Sequence, residues 1–231
     1  MALIVFPEGQ QRSGKAGGSV YSHNRSGPYV RNRSIPVNPN TSRQVEVRNA
    51  VRSLAIGWNN DLTNAQRSAW DVYAANVSWT NRVGQTIHLT GMNHFTRSNT
   101  PLLVSQYDRV DAAPTLFNIA VAESYLSGSG SAAAQTIDVG FLAGPSWISE
   151  DDARQFVYMG LPQNESRTFF GGPYRLLGVI EGDSTTPPTS PENFAAPFTF
   201  GEGQRIWLRS RISRADGRLS EFAQCNFLGA A

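Results

Sequence analysis

The spacing of apolar residues changes twice along the chain, and each change marks a different kind of structure. From Thr41 onward the apolar positions recur at helical intervals. Thr41 and Gln44 have capping-box spacing, and Val47, Val51, Leu54, Ala55 and Trp58 share one face, predicting a helix from about Ser42 to Trp58. Asn59-Asn60-Asp61 interrupts it. Thr63 and Gln66 repeat the cap, and Ala65, Ala69, Trp70, Tyr73 and Ala74 define a second helix to about Ala75. So short a connection predicts an antiparallel helical hairpin with Trp58, Trp70 and Tyr73 between the helices. Residues 77–89 read as extended around a turn at Asn81 to Gly84. Thr90 and Asn93 then start a third short helix through Met92 and Phe95, ending near Asn99 before Pro101.

Beyond Asp108–Pro114 the helical pattern stops and β-prone segments follow at regular intervals: 115–122, 135–142, 155–160, 167–170, 174–180, 204–213 and 220–228. Alternation is clearest near the end, where Ile206, Leu208 and Ser210 face one way and Trp207, Arg209 and Arg211 the other. Ala215-Asp216-Gly217 supplies the hairpin turn. Gly182–Pro197, rich in proline, reads as a long loop or an irregular edge. Seven short strands with no comparable helix predict an immunoglobulin or fibronectin type III-like sandwich.

Before Thr41 there is no helical pattern. Residues 2–6 form a β-prone run suited to an edge strand in this chain or a neighbour, and Glu8–Gly18 reads as a loop. Ser19–Asn24 and Tyr29–Pro36 then make a ribbon around Arg25-Ser26-Gly27-Pro28, and Pro36 and Pro39 hold the following backbone extended. A two-stranded ribbon is marginal alone, so this arm is expected to rest on another surface. The fold class is α+β: an arm over 1–40, a small helical domain over 41–110 and a sandwich over 111–231.

Composition sharpens the view of the arm. The net charge of +2 over 231 residues conceals +6 in residues 1–111 and −4 in 112–231, and Lys15 is the sole lysine among 20 basic residues. Arginine offers a planar, multiply donating cation suited to carboxylates, phosphates and aromatic faces. Arg25, Arg31, Arg33 and Arg43, with Tyr21 and Tyr29, are therefore the candidate partner-contact residues. Strand alternation puts Tyr29, Arg31, Arg33 and Ile35 on one face, a mixture that fits protein contact ahead of nucleic acid.

Catalytic and metal-binding signals are sparse. Cys225 is the only cysteine, which excludes an intrachain disulfide and a cysteine-based metal cluster. His23, His88 and His94 lack metal-ligand spacing, and Glu150-Asp151-Asp152 lacks the spacing of a calcium loop. There is no G-x-S-x-G, Walker loop or dinucleotide fingerprint. The expectation is a protein without enzymatic activity, cofactor or metal. No apolar run approaches the roughly 20 residues of a membrane span. Ala2–Phe6 is too short for a signal-peptide core, so synthesis in the cytoplasm without export by such a signal is expected.

Three strings carry a resemblance: Gly17–Asn49, with Asn38, Pro39, Thr41, Gln44 and Arg48; LTNAQRSAWDVYAANV, with Leu62, Thr63, Ala65, Gln66, Arg67 and Trp70; and LTGMNHFTRSN, with Gly91, Asn93 and Phe95. Over about residues 14–100 the chain resembles the N-terminal signature of a family of bacteriophage and bacterial-genome proteins regarded as virion structural components. The final hairpin is similar to the closing strands of a fibronectin type III-like domain. The resemblance implies a capsid-decorating, head-associated or tail protein, located in the virion, whose partners are copies of itself and other virion proteins. It implies no activity. Two alternatives are a carbohydrate or host-surface binding module using Trp147 and Trp207 as platforms, and a DNA-contacting arm.

Overall fold

A computed structural model describes all residues except Met1, 4–11, Arg82, Val83, Ala143, Pro145 and Ser146. The fold is α+β, and the chain divides into two compact units, 1–42 and 43–231.

The first unit is a sheet. Its strands are β1 (Ala2–Leu3), β2 (Gly14–Ala16), β3 (Ser19–Asn24) and β4 (Gly27–Asn32), all antiparallel in the order β1-β4-β3-β2. The expected ribbon is its centre. Asn24 pairs with Gly27 around an Arg25-Ser26 turn, and Gly27 takes φ 112°, which favours glycine. The N-terminal edge strand pairs within its own chain, and the remainder of its expected run lies outside the described residues. Two expectations change: β2 falls in the stretch read as loop, and β4 stops at Asn32, before Pro36. Beyond Asn32, among the described residues, only the Arg33 N–H, donating to the Gly18 carbonyl (2.8 Å), continues the pairing.

In the second unit, α1 (Ser42–Asn60), α2 (Asn64–Asn76) and α3 (Gly91–Val104) enclose a core of Leu54, Leu62, Trp70, Tyr73, Val77 and Phe95, with Trp58 and Trp79 against it. Thr63 makes the full capping box with Gln66, and Thr90 accepts from the Asn93 N–H. Between α2 and α3, β5 (Ser78–Thr80) pairs with β6 (Thr86–His88). Helix α3 runs past Asn99 and through Pro101, contrary to the expected stop. Leu102 in its final turn is almost wholly buried, and the Thr100 hydroxyl donates to the Thr96 carbonyl (2.6 Å) in the turn that proline disturbs.

Seven further strands follow: β7 (Ser127–Ser131), β8 (Thr136–Gly140), β9 (Arg154–Gly160), β10 (Tyr174–Glu181), β11 (Glu192–Ala195), β12 (Arg205–Ser213) and β13 (Ala223–Leu228). They form a three-stranded sheet β11-β8-β7 and a four-stranded sheet β10-β9-β12-β13, antiparallel throughout. Ile137 and Val139 of the first sheet share one apolar core with Val157, Met159, Ile180, Ile206 and Leu208 of the second. Residues 115–122 and 167–170 are not strands. The strands that take their places in the count are β7, a Ser-Gly repeat without apolar residues, and β11, inside the stretch read as loop or irregular edge.

The expected division near residue 110 lies within this unit, and side-chain hydrogen bonds span it. The Trp70 indole donates to the Asp111 carbonyl (3.0 Å) and the Tyr73 hydroxyl to that of Asn118 (3.1 Å). Arg97 donates to the Leu219 and Ser220 carbonyls (2.6 and 2.8 Å), tying α3 to the hairpin between β12 and β13.

Candidate interaction surfaces

Pairing register distributes the arm residues over the two faces of their sheet. Val20 lies opposite both Lys15 and Arg31, and Ser22 opposite Tyr29, so Lys15, Val20, Ser22, Tyr29 and Arg31 share one face. Tyr21 opposes Gly14 and Val30, and His23 opposes Pro28, which makes the other face neutral and partly apolar. Tyr21 and Tyr29 therefore lie on opposite sides, and no single row of rings and arginines forms. Arg25 is at the exposed turn. Arg33 and Ile35 lie beyond β4: the hydrogen bond to Gly18 carries the pairing as far as Arg33, and the expected row does not extend to Ile35. Arg43 stands in the first turn of α1, in the second unit, and pairs with Glu46 (2.7 Å).

No described side chain from 12 to 42 is buried. Ile35 and Val37, on the proline-flanked strap after β4, are 80% and 92% exposed. Helix α1 behaves similarly at its start: Leu54 is buried and Trp58 partly so, but Val47 and Val51, on the same stripe one and two turns earlier, are exposed.

Within residues 43–231 a cleft of about 350 Å³ opens among Tyr107, Arg109, Arg154, Ser213 and Arg214. Its cations are already engaged. Arg109 pairs with Asp61 (2.8 Å) and Asp111 (2.7 Å), Arg154 with Asp152 (3.1 Å), and Arg214 with Glu150. The Arg154 guanidinium also stacks on Tyr107 (4.2 Å), whose hydroxyl donates to Glu181 (2.6 Å). Burial first, and then Glu181, hold that phenol above its usual pKa. The cleft is a hydrogen-bonded junction between the segment after α3 and the strand ends.

The tryptophans named as sugar platforms differ in setting. Trp147 is 2% exposed and tilts against Phe141 in the core (5.8 Å between centroids), which removes it as a surface platform. Trp207 is half-buried on the outward side of β12, with its indole nitrogen buried and lacking an acceptor. That outward side continues with Arg209 and Arg211, as alternation predicts, while Ile206, Leu208 and Ser210 are buried beneath. What the sequence does not disclose is the company these arginines keep: Tyr158, Tyr174 and Phe222 converge from β9, β10 and the segment before β13.

Of the histidines, His94 is buried and His23 and His88 are exposed. Among the described residues no group of three or more His, Cys, Asp or Glu converges to hold a metal ion, and no helix is long and apolar enough to cross a membrane.

No protein-family model and no curated relative matches the chain. Among solved structures, one similarity is to a family 76 glycoside hydrolase from a bovine Bacteroides thetaiotaomicron strain, at 14% identity and a TM-score of 0.35. The match covers 48% of this chain and 21% of that enzyme, so the chain spans well under two thirds of its length.

Proposed function

We propose that this is a non-enzymatic structural protein of a bacteriophage particle, assembling with copies of itself and other virion proteins through its N-terminal unit. The virion setting rests on the resemblance carried by residues 14–100. The observation that carries the assembly reading is a four-stranded sheet and strap without a buried described side chain from 12 to 42. Sheets become stable by burying a face, and among the described residues of this one no side chain is buried in its own chain. Covering Ile35 and Val37 would each contribute about 1.5–3 kcal/mol, which favours an arm that gains its stability on assembly.

The body carried by this arm is read as a fibronectin type III-like sandwich over 127–228. Supporting this, the first, second and fifth strands form one sheet and the third, fourth, sixth and seventh the other. In the constant-type immunoglobulin arrangement the fourth strand lies beside the fifth, whereas here β10 pairs with β9.

Light scattering on the purified chain, on an I35D/V37D variant and on a chain lacking residues 1–40 tests the reading. Association by the intact chain, lost in both variants while their thermal transitions persist, is the expected result. An intact chain that stays monomeric at high concentration, or variants that associate as well as it does, would remove the proposal. Mass spectrometry of purified particles containing no copies would remove the virion setting alone.

A further inference from the structure

Arg209 and Arg211 lie two residues apart on β12, and their guanidiniums are held by rings. Arg209 sits over Tyr174 (4.1 Å), Phe222 (4.4 Å) and Tyr158 (5.4 Å), and Arg211 over Phe222 (4.7 Å). Tyr158 and Phe222 are themselves edge to face, 6.2 Å apart. Among the described residues no carboxylate comes within ion-pair distance of either arginine and no acceptor reaches them; Glu221, next to Phe222, pairs with Arg97 (3.8 Å). Both Nε atoms are buried and unpartnered. Burial lowers the Arg209 pKa from its ordinary value, and neighbouring Arg211 adds a smaller push in the same direction. Two partly buried cations without counter-ions, fixed in plane by stacking, are preorganised to receive oxyanions at their remaining N–H groups.

We infer that this face of the four-stranded sheet docks an acidic, extended segment of a partner protein, with carboxylates on alternate residues received by Arg209 and Arg211. Residues i and i+2 of a strand stand about 6.6 Å apart on one side. An extended peptide with acidic residues at alternate positions presents carboxylates at that same interval. Tyr158, Tyr174 and Phe222 supply apolar contact around the paired charges, as at the centre of a protein interface. A nucleic acid fits less well. Residues 43–231 carry fifteen basic and seventeen acidic side chains, so this unit exerts no long-range pull on a dense polyanion. This site is built from residues of the second unit and does not require the assembly reading.

Isothermal titration of the full chain with a blocked Glu-Ser-Glu-Ser-Glu peptide tests the inference. Saturable binding is expected, at least tenfold weaker in R209Q/R211Q. It should also be weaker in R209K, which keeps the charge but loses the planar stacked donor, and unchanged in the arm variant R31Q/R33Q. Should the double glutamine variant not fold, R209K and R211K decide in its place. Binding equal in all variants, binding lost only in the arm variant, or tighter binding of oligothymidylate or a polyuronate would overturn it.

Discussion

Trp79 donates its indole N–H to Nε2 of His94 across 3.2 Å, so the imidazole must be unprotonated at that nitrogen. His94 is 1% exposed, meets Tyr73 edge to face at 5.0 Å, and lies one turn before Arg97 on α3. Burial, and after it the Arg97 charge, lower its pKa to about 4.

The consequence is a stability that depends on pH in one direction. Between the unfolded value near 6.5 and about 4, the unfolded chain binds a proton that the folded chain refuses. Stability from this residue is therefore complete above about pH 6.5 and falls as pH descends through the window. The full excursion is on the order of 3 kcal/mol. Urea unfolding at pH 7.5 and 4.5 should reveal the fall, and H94Q, which retains an acceptor for Trp79, should flatten it. An unchanged pH dependence in H94Q would place the sensitive group elsewhere.

Arg97 joins the helical layer to the β12–β13 hairpin. It donates to two carbonyls and lies over Trp79 at 4.6 Å, with its pKa lowered to about 10 chiefly by burial. Removing it leaves those carbonyls without the donor. R97A should cost about 2–4 kcal/mol and separate the thermal unfolding of the helices from that of the β-strands. Calorimetry showing one transition of unchanged midpoint would refute this.

Gly128 shows why part of the fold was not legible. A Cβ there would stand 2.5 Å from the Phe227 ring and 2.8 Å from Leu208, so β7 reaches the core by lacking side chains. Periodicity finds strands that contribute apolar residues and misses a strand that makes room for those of others. G128A should destabilise by about 1–3 kcal/mol, measurable by urea titration, with neighbouring S129A close to neutral. By contrast, α1, α2 and β12 carry their own apolar stripes, and the cap of α2 and the alternation of β12 were readable. The site on β12 was half legible. Alternation placed Arg209 and Arg211 outward, but their convergence with Tyr158, Tyr174 and Phe222 depends on strand order, which no local pattern encodes.

Cys225 lies opposite Leu208, and burial pushes its thiol up to about 11. The thiolate is the reactive form, and at pH 8 its population should be roughly a hundredfold below that of an unperturbed cysteine. Iodoacetamide should therefore label the native chain slowly and the urea-unfolded chain quickly. Comparable rates in the two states would contradict the burial of this thiol.

The two faces of the arm sheet should separate by salt. Residues 1–42 carry five basic and one acidic side chain, a charge of +4, whereas the remainder carries −2. If the neutral face of Tyr21 and Val30 covers a neighbouring subunit, Y21S should weaken association at every ionic strength, because apolar burial is not screened. R31S, on the charged face with Lys15, should weaken it mainly at low salt, since exposed charges lose their reach beyond about 10 Å at 0.1 M. Sedimentation at 50 and 500 mM salt resolves the two patterns. Salt-independent loss in R31S with none in Y21S would reverse the assignment and place the basic face against the neighbour.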